Sequence, residues 1–492
     1  MFFSMATYKG TSFKINFAQL VILVIISSMK IINLKNKKIG IWGLGVVGKS
    51  VLEHVKQFTD QIQILDSKLH ETIDVTLQTP QSLKNFLDYN DIIISSPGIV
   101  LHPYQKKYGT KFISELDLFS SQISTNATHI KTIAITGTVG KTSITNLLQQ
   151  SISNSVAAGN IGYAMLNVCN VNPQPQTVVL ELSSYQLHYA KSFAPDLAIW
   201  TNFFPNHLDH HKTAKEYFLA KCNMIKHQTN NQIALLPYDL VERIKKHIDI
   251  ASSLYLFSSR KPRKKITTPT FYIEKNNVVL SDGSKSVVIF KNINLLPDVT
   301  FQQNWLIIIA SLHLQNIPFD QLIAMTHTVQ DQEHRVEFVR SFRGVDIYND
   351  SKSTVWQATR KAIERFKHKK IALFLGGLSK GTNRSPLIKF LTKQNVCVFA
   401  FGKEAELLSS LCKKYNVPCF SSATLQQTLD QYILIESNKE ISTLDPRSVS
   451  GTTTNIVDFE VLLFSPAGSS FDLFKNYQDR GTQFKKMIMG LS

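Results

Sequence analysis

Short apolar runs alternate with stretches of helical period along most of this chain. Residues 38–42 (KIGIW) read as a buried strand, residues 50–58 carry helical spacing, and residues 61–65 and 91–95 (DIIIS) read as further strands. Such alternation implies a parallel sheet with crossover helices. A second segment opens with residues 131–136 (KTIAIT), a strand followed by a glycine loop and a helix from Thr142, with further strands at 178–182 and 197–202. Residues 252–296, rich in β-branched residues and turns, are expected to form an antiparallel excursion. A third alternating segment starts near Glu333, with strands at 345–348, 371–375, 396–401 and 458–464 and a helix at 356–366. Breaks near residues 122 and 332 divide the chain into expected domains 29–122, 123–332 and 333–492, with residues 1–28 an N-terminal extension outside the fold.

That extension holds an apolar run, residues 17–26 (FAQLVILVII), after Lys9 and Lys14. It is shorter than the about 20 residues that span a bilayer comfortably. No small-residue cleavage site follows it, so neither a signal peptide nor stable membrane insertion is expected. A length of 492 residues, 43% of them hydrophobic and 18% charged, suits about three globular domains with sizeable cores. The net charge of +18 favours acidic partners: nucleic acid, anionic lipid or phosphorylated small molecules. The cations are dispersed, and no like-charge tail of the kind that binds nucleic acid is present. The five cysteines (Cys169, Cys222, Cys397, Cys412 and Cys419) form no CxxC pair. A disulfide framework is therefore not expected, and a reducing, cytoplasmic compartment fits.

Candidate chemistry lies at the strand ends. Gly43-Leu44-Gly45-Val46-Val47-Gly48 follows the first strand and opens a helix, and Asp66 ends the next strand. Glycines there let backbone N–H groups approach a diphosphate, and the carboxylate can reach a ribose or base. Alone, this pattern fits a nicotinamide-dependent oxidoreductase, another diphosphate binder, or a bare glycine turn. Thr136-Gly137-Thr138-Val139-Gly140-Lys141-Thr142 resembles a P-loop, in which loop N–H groups cradle phosphates, the lysine neutralises them and the threonine reaches magnesium. Two nucleotide-type loops in successive domains suit a nucleotide-linked substrate plus ATP better than one dinucleotide. Glu181 ends an apolar strand and reads as a magnesium ligand or a helix cap. Asn206-His207-Leu208-Asp209-His210-His211 reads as a solvated loop or a zinc site, although no cysteine pair or HExxH accompanies it. Lys221 by itself is an ordinary helix lysine. Asn349-Asp350-Ser351-Lys352 and Gly376-Gly377-Leu378-Ser379-Lys380-Gly381 end two strands, where open α/β sheets place ligands.

In their order and spacing these motifs resemble one family, the Mur ligases. The resemblance runs from about Lys37 to the C-terminus. It is carried by GTVGKT, Gly159-Asn160-Ile161-Gly162, LELSSYQL, NHLDHH, Glu333-His334-Arg335, NDSKST, GGLSKG and LFSPAGSSFD. The compact first domain, Ser96-Pro97-Gly98-Ile99, ELSSYQL and the closing SPAGSSFDLFKNYQDRGTQF look like the member that adds D-glutamate; the DNPR-type motif of the diamino-acid-adding relatives is absent.

The resemblance implies an α/β fold with a Rossmann-like N-terminal domain for the UDP-substrate, a central P-loop ATPase-like parallel sheet for ATP, and a Rossmann-like C-terminal domain for the amino acid. It assigns Gly43, Leu44, Gly45, Asp66, Ser67, Ser96, Pro97, Gly98 and Asn160 to UDP-N-acetylmuramoyl-L-alanine. ATP falls to Gly137, Thr138, Gly140, Lys141, Thr142, Ser143, Asn304, Arg335 and Asp350, and D-glutamate to Lys352, Thr354, Lys380, Ser470, Phe471 and Tyr477. Magnesium is assigned to Thr142, Glu181, His207 and Lys221, the last as a carbamate, and catalysis to Lys141, Glu181, His207, Lys221 and Lys380. The implied enzyme is a cytoplasmic monomer of peptidoglycan precursor synthesis, and so of cell shape and division, that binds no nucleic acid. Val139, Phe301, Val355 and Gly468 depart from the family's usual residues. A sister or folylpolyglutamate-type ligase adding another amino acid, and a nucleic-acid-dependent P-loop ATPase, are the competing readings.

Overall fold

The computed structural model describes residues 32–124, 129–207, 210–297, 299–326, 333–437 and 458–491. The expected extension 1–28, its apolar run, and Asp209 lie outside the described residues.

Three sheets follow one another along the chain. The first has the order β3-β2-β1-β4-β5 and is parallel throughout, with β1 Ile39–Trp42, β2 Ile62–Asp66, β3 Thr76–Leu77, β4 Ile92–Ser95 and β5 Phe112–Ile113. Strand β1 is buried at every residue, as a central strand covered on both faces must be. Between β1 and β2 runs the helix Val46–Val55.

The second sheet has nine strands in the order β14-β13-β12-β11-β10-β9-β6-β8-β7. They are β6 Lys131–Thr136, β7 Ser155–Gly159, β8 Thr177–Glu181, β9 Leu197–Trp200, β10 Ile233–Pro237, β11 Ser253–Ser258, β12 Thr270–Glu274, β13 Asn277–Ser281 and β14 Ser286–Phe290. Neighbours from β7 across to β12 pair in parallel, and only β13 and β14 are antiparallel. The antiparallel excursion expected over 252–296 is therefore shorter than its composition suggested. Strand β11 (SLYLFS) returns over the short helix Val241–Lys245 and so docks parallel to β10. The direction first reverses at Lys275 and Asn276, both left-handed at φ 48° and 63°, which form a tight turn between β12 and β13.

The third sheet has the order β15-β16-β20-β17-β18-β19: β15 Glu337–Phe342, β16 Val345–Asn349, β17 Ile371–Gly376, β18 Val396–Phe401, β19 Cys419–Ser422 and β20 Val461–Phe464. Strand β15 forms an antiparallel hairpin with β16 through Arg343 and Gly344, at φ 52° and 84°; the remaining pairs are parallel.

Burial shows how the sheets join. One apolar cluster runs without interruption from Val51, Leu116 and Phe119 of the first unit to Leu166, Leu180 and Phe218 of the second. The opposite face of the second sheet is covered by the helices Lys141–Gln150 and Gln302–Leu314, through Ile144, Leu148, Trp305 and Ile308. The third sheet keeps its own clusters on its two faces.

Candidate active site

The phosphate-type loop lies between β6 and the helix Lys141–Gln150, with Gly137 and Gly140 at φ 144° and 92°. Asn202, just beyond β9, holds it. Its Oδ1 accepts from the amides of Val139 (2.9 Å) and Thr138 (3.2 Å), and its Nδ2 donates to the Val139 carbonyl at 2.8 Å. Both backbone groups of residue 139 are thus engaged while its side chain makes none of these bonds, so a valine is tolerated there. Thr138 Oγ1 donates to the Phe204 carbonyl at 3.0 Å, close to the Tyr217 hydroxyl at 3.2 Å.

Glu181, the last residue of β8, is buried. Asn160 Nδ2 donates to its Oε1 at 2.9 Å, whereas Oε2 is buried with no hydrogen-bond partner among the described residues. The helix cap that Glu181 might have supplied is made by Ser183 instead, at the start of the helix Ser184–His188. An orphaned, buried carboxylate oxygen is costly unless something binds it. With the Thr142 hydroxyl at the loop, the donor chemistry suits a hard cation such as magnesium.

Lys221 lies fully inside the helix Ala214–Lys226, donating to the Gly137 carbonyl at 3.0 Å and to Thr136 Oγ1 at 3.2 Å. Burial, with the charge of Lys141, holds its pKa far below that of an ordinary lysine, against the pull of Glu181. Burial also lowers Lys141, with Arg335 adding to it and Glu181 opposing. His207, left-handed at φ 56°, has Nδ1 3.1 Å from the Tyr185 hydroxyl. Burial, then Lys380, Lys141 and Lys221, push it down to about 2, so its ring is neutral.

A cavity of about 540 Å³ joins these groups. Gly137, Thr138, Lys141, Asn160, His207 and Lys221 line it from the second unit, and Val46, Val47, Pro97 and Gly98 from the first. Cations of the third unit act on the same place: Lys380 on His207, Arg335 on Lys141, and Lys352 on both Arg335 and Lys141. Lys352 is lowered to about 7 by burial and by those two cations, with Glu181 opposing. Asn304, in the helix Gln302–Leu314, packs close against Gly140, and Tyr477 lies under the Lys352 ammonium, 5.4 Å from ring centroid to Nζ.

Other expected site residues are placed differently. Gly43, Ser96 and Asp66 form an internal brace. Ser96 Oγ donates to the Gly43 carbonyl at 2.9 Å, and Asp66 accepts from the Leu44 amide at 2.5 Å and the Lys68 amide at 3.0 Å. Burial works against the Asp66 carboxylate, but those amides and the Ser67 hydroxyl outweigh it and lower its pKa. Leu44 is a buried core side chain, while Gly45 faces open space at the uncapped start of the helix Val46–Val55. Gly48 has no room for a side chain, because a Cβ would meet the Gly43 carbonyl. Asp350 faces inward and accepts from Ser353 (2.5 Å), Ser465 (2.6 Å) and the Val336 amide (3.3 Å). Burial raises it to about 6 against those bonds and Arg335. Ser143 is buried in the first turn after the loop, and Ser470 is buried with its carbonyl accepting from the Phe474 amide at 3.0 Å. The Thr354 amide bonds back to the Lys352 carbonyl at 2.9 Å, and Phe471 is exposed. Asn202, Tyr185 and Tyr217 are site residues that the sequence reading missed; only the position of Asn202 at a strand end hinted at it.

The fold and this cavity define a nucleotide-loop α/β enzyme, and comparison shows what it is similar to. Residues 135–306 match the model described as the Mur ligase middle domain. The chain is similar to Mur ligases along nearly its whole length. It is 29% identical over 482 residues to the UDP-N-acetylmuramoylalanine--D-glutamate ligase of Caldanaerobacter subterraneus subsp. tengcongensis, covering 93% of this chain and 99% of that one. It is also 29% identical over 460 residues to the protein of the same name from Aquifex aeolicus, covering 91% and 97%. Among solved structures, MurF from Acinetobacter baumannii superposes with a TM-score of 0.57 over 92% of this chain and 90% of that one at 13% identity. Mycobacterium tuberculosis folylpolyglutamate synthase complexed with ADP gives 0.52 over 84% and 98% at 11% identity. At such identities these structures speak for the fold alone.

Proposed function

We propose that this enzyme joins D-glutamate to UDP-N-acetylmuramoyl-L-alanine, consuming ATP. One observation carries the reading: a single cavity bordered by the glycine loop region of the first unit and the phosphate loop of the second, with cations of the third directed at it. The names of the relatives that match along nearly the whole chain support the choice of substrates.

The alanine carboxylate and the ATP γ-phosphate are both anions and repel one another. Lys141 and the N-terminus of its helix offset that charge. Glu181 and Thr142, with His207, would hold magnesium, which supplies electrostatic screening at the phosphates. A carboxylate oxygen bonds to the γ-phosphorus and ADP leaves, giving an acyl phosphate. The D-glutamate amine then bonds to the acyl carbon, loses a proton, and inorganic phosphate leaves. The unprotonated amine of Lys221 would add CO₂ at Nζ with loss of a proton, giving an anionic oxygen donor beside Glu181. A carbamate resonance in the ¹³C spectrum after labelling with bicarbonate, absent in Lys221→Met, tests that step.

Gly45 at the open helix start, with Pro97 and Gly98, suits the UDP diphosphate, and Asn304 against the phosphate loop suits the ATP side. Asp66 and Asp350 act as positioning residues, Asp66 by bracing the glycine loop and Asp350 by holding the turn that carries Lys352. Lys352, Lys380, Thr354, Ser470 and Tyr477 suit the two carboxylates of D-glutamate. No described helix is long and apolar enough to cross a membrane. The enzyme acts in the cytoplasm as a monomer, without nucleic acid, in peptidoglycan precursor synthesis. The test is phosphate release with UDP-N-acetylmuramoyl-L-alanine and a panel of D- and L-amino acids. D-glutamate is expected to be preferred by at least a hundredfold; preference for L-lysine, a diamino acid or L-glutamate would replace this reading with a sister activity.

A further inference from the structure

Beside the cavity lies a second group of metal-ligating side chains that the reaction does not use. His188 ends the helix Ser184–His188, His211 stands in the segment after His207, and Glu216 lies in the first turn of the helix Ala214–Lys226. Each offers one ligand atom, and the three atoms lie within 4.8 Å of one another. His188 Nε2 is 3.7 Å from Glu216 Oε1, beyond hydrogen-bonding distance. Two donors on a tetrahedral zinc at about 2.05 Å are separated by about 3.3 Å. That pair is therefore nearly at ligating separation, and the widest pair needs to close by no more than about 1.5 Å.

The surroundings are built for ligation. His211 is fully buried, and its Nε2 lies 2.9 Å from Ser184 Oγ. Glu216 Oε2 accepts from the Lys212 amide at 3.0 Å while Oε1 turns to His188. Outer bonds of this kind orient metal ligands. The His188 side chain is 18% exposed, and its Nδ1 is buried with no hydrogen-bond partner among the described residues. Burial lowers its pKa, with Glu216 opposing.

We propose that His188, His211 and Glu216 bind one divalent ion of the zinc class, with water as the fourth ligand, at a site separate from Glu181 and Thr142. Two imidazoles and one carboxylate select such an ion over magnesium, which prefers oxygen donors throughout. The three ligands belong to the segments that carry Ser183, His207 and Lys221, and the His211 amide donates to the His207 carbonyl at 2.9 Å. The ion fastens the His207 segment to the helix of Lys221.

Cobalt(II), which reports four-coordinate binding by its visible absorption, is the probe. It is titrated into the untagged full-length protein in excess magnesium and then displaced by zinc. One cobalt per chain is expected, with a higher Tm. His188→Gln and Glu216→Gln should each weaken binding at least tenfold, and Glu181→Gln should leave it intact. Absence of a magnesium-resistant site in the wild type, survival of the absorption in both His188→Gln and Glu216→Gln, or its loss in Glu181→Gln would each overturn the proposal.

Discussion

The first and second units meet across a seam unlike the one between the second and the third. The former is apolar and continuous, with Phe119 and Leu116 sharing one core with Leu166 and Phe218. It is stitched further by Ser50 Oγ donating to Asn167 Oδ1 at 2.6 Å and by the amides of Lys191 and Ser192 donating to Asp117 at 2.9 and 2.8 Å. The latter is polar. Lys352 and Arg335 approach Lys141 and Glu181 there, and the third unit keeps its own cores. The difference assigns the two seams different work. A shared core fixes the first glycine loop relative to the phosphate loop, while a charged seam is available to anions.

The comparison can be broken at either seam. The largest effect is expected from Lys141→Met. It should lower kcat/KM about a thousandfold or more, as removal of a group that stabilises transition-state charge does, with Tm unchanged or raised because a buried cation has gone. A large fall in Tm with kcat/KM unchanged at temperatures where the protein is folded would reverse the roles of the seams. Next comes Leu166→Ala in the apolar seam, which should cost about 2–5 kcal/mol of stability by chemical denaturation with little change in kcat at temperatures where the protein is folded.

Two smaller effects carry opposite signs with pH. Glu115 is buried at the apolar seam and raised to about 7 by burial, although it accepts from the amides of Met165 and Leu166. The folded state then holds its proton more tightly than the unfolded chain. This group's contribution is most favourable below the unfolded value of 4.5, falls as pH rises to about 7, and is flat beyond. Glu115→Gln should therefore raise stability at pH 8 by about 1–3 kcal/mol and lose that advantage near pH 4. Lys352 is lowered to about 7 at the polar seam, so its contribution improves as pH rises from about 7 toward the unfolded value of 10.5. In Lys352→Met that rise should be absent from the ligand-free Tm profile, a change of about 1 kcal/mol or less after screening. Equal slopes for wild type and variant would show that Lys352 is solvated and the seam open.

Local chemistry was legible in the sequence. Both glycine loops, Glu181 at its strand end and the strand–helix alternation were readable because strands, turns and helix starts are set by neighbours in the chain. The site's supports were not. Asn202 is 63 residues from Val139 in sequence, and nothing local distinguishes an asparagine that holds a loop from any other. The β15–β16 hairpin was not legible, because EFVRSF lies one residue beyond Glu333-His334-Arg335 and interrupts its apolar positions with Glu337 and Arg340. Asp66 and Asp350 read as ligand contacts because carboxylates at strand ends often are. Their oxygens are taken by the protein's own amides and hydroxyls, and only the folded partners reveal that.

Gly468 has no room for a side chain. Arg384, buried at 3% exposure, reaches the Gly376 carbonyl at 3.2 Å and occupies the space that a Cβ at 468 would need; the Gly376 carbonyl blocks it as well. Of the two obstacles, the guanidinium is the end of a flexible side chain and can move, whereas the Gly376 carbonyl is backbone and cannot do so cheaply. Gly468→Cys should therefore be destabilised even when Arg384 is shortened in the same chain, because the backbone at Gly376 and Gly377 still has to give way.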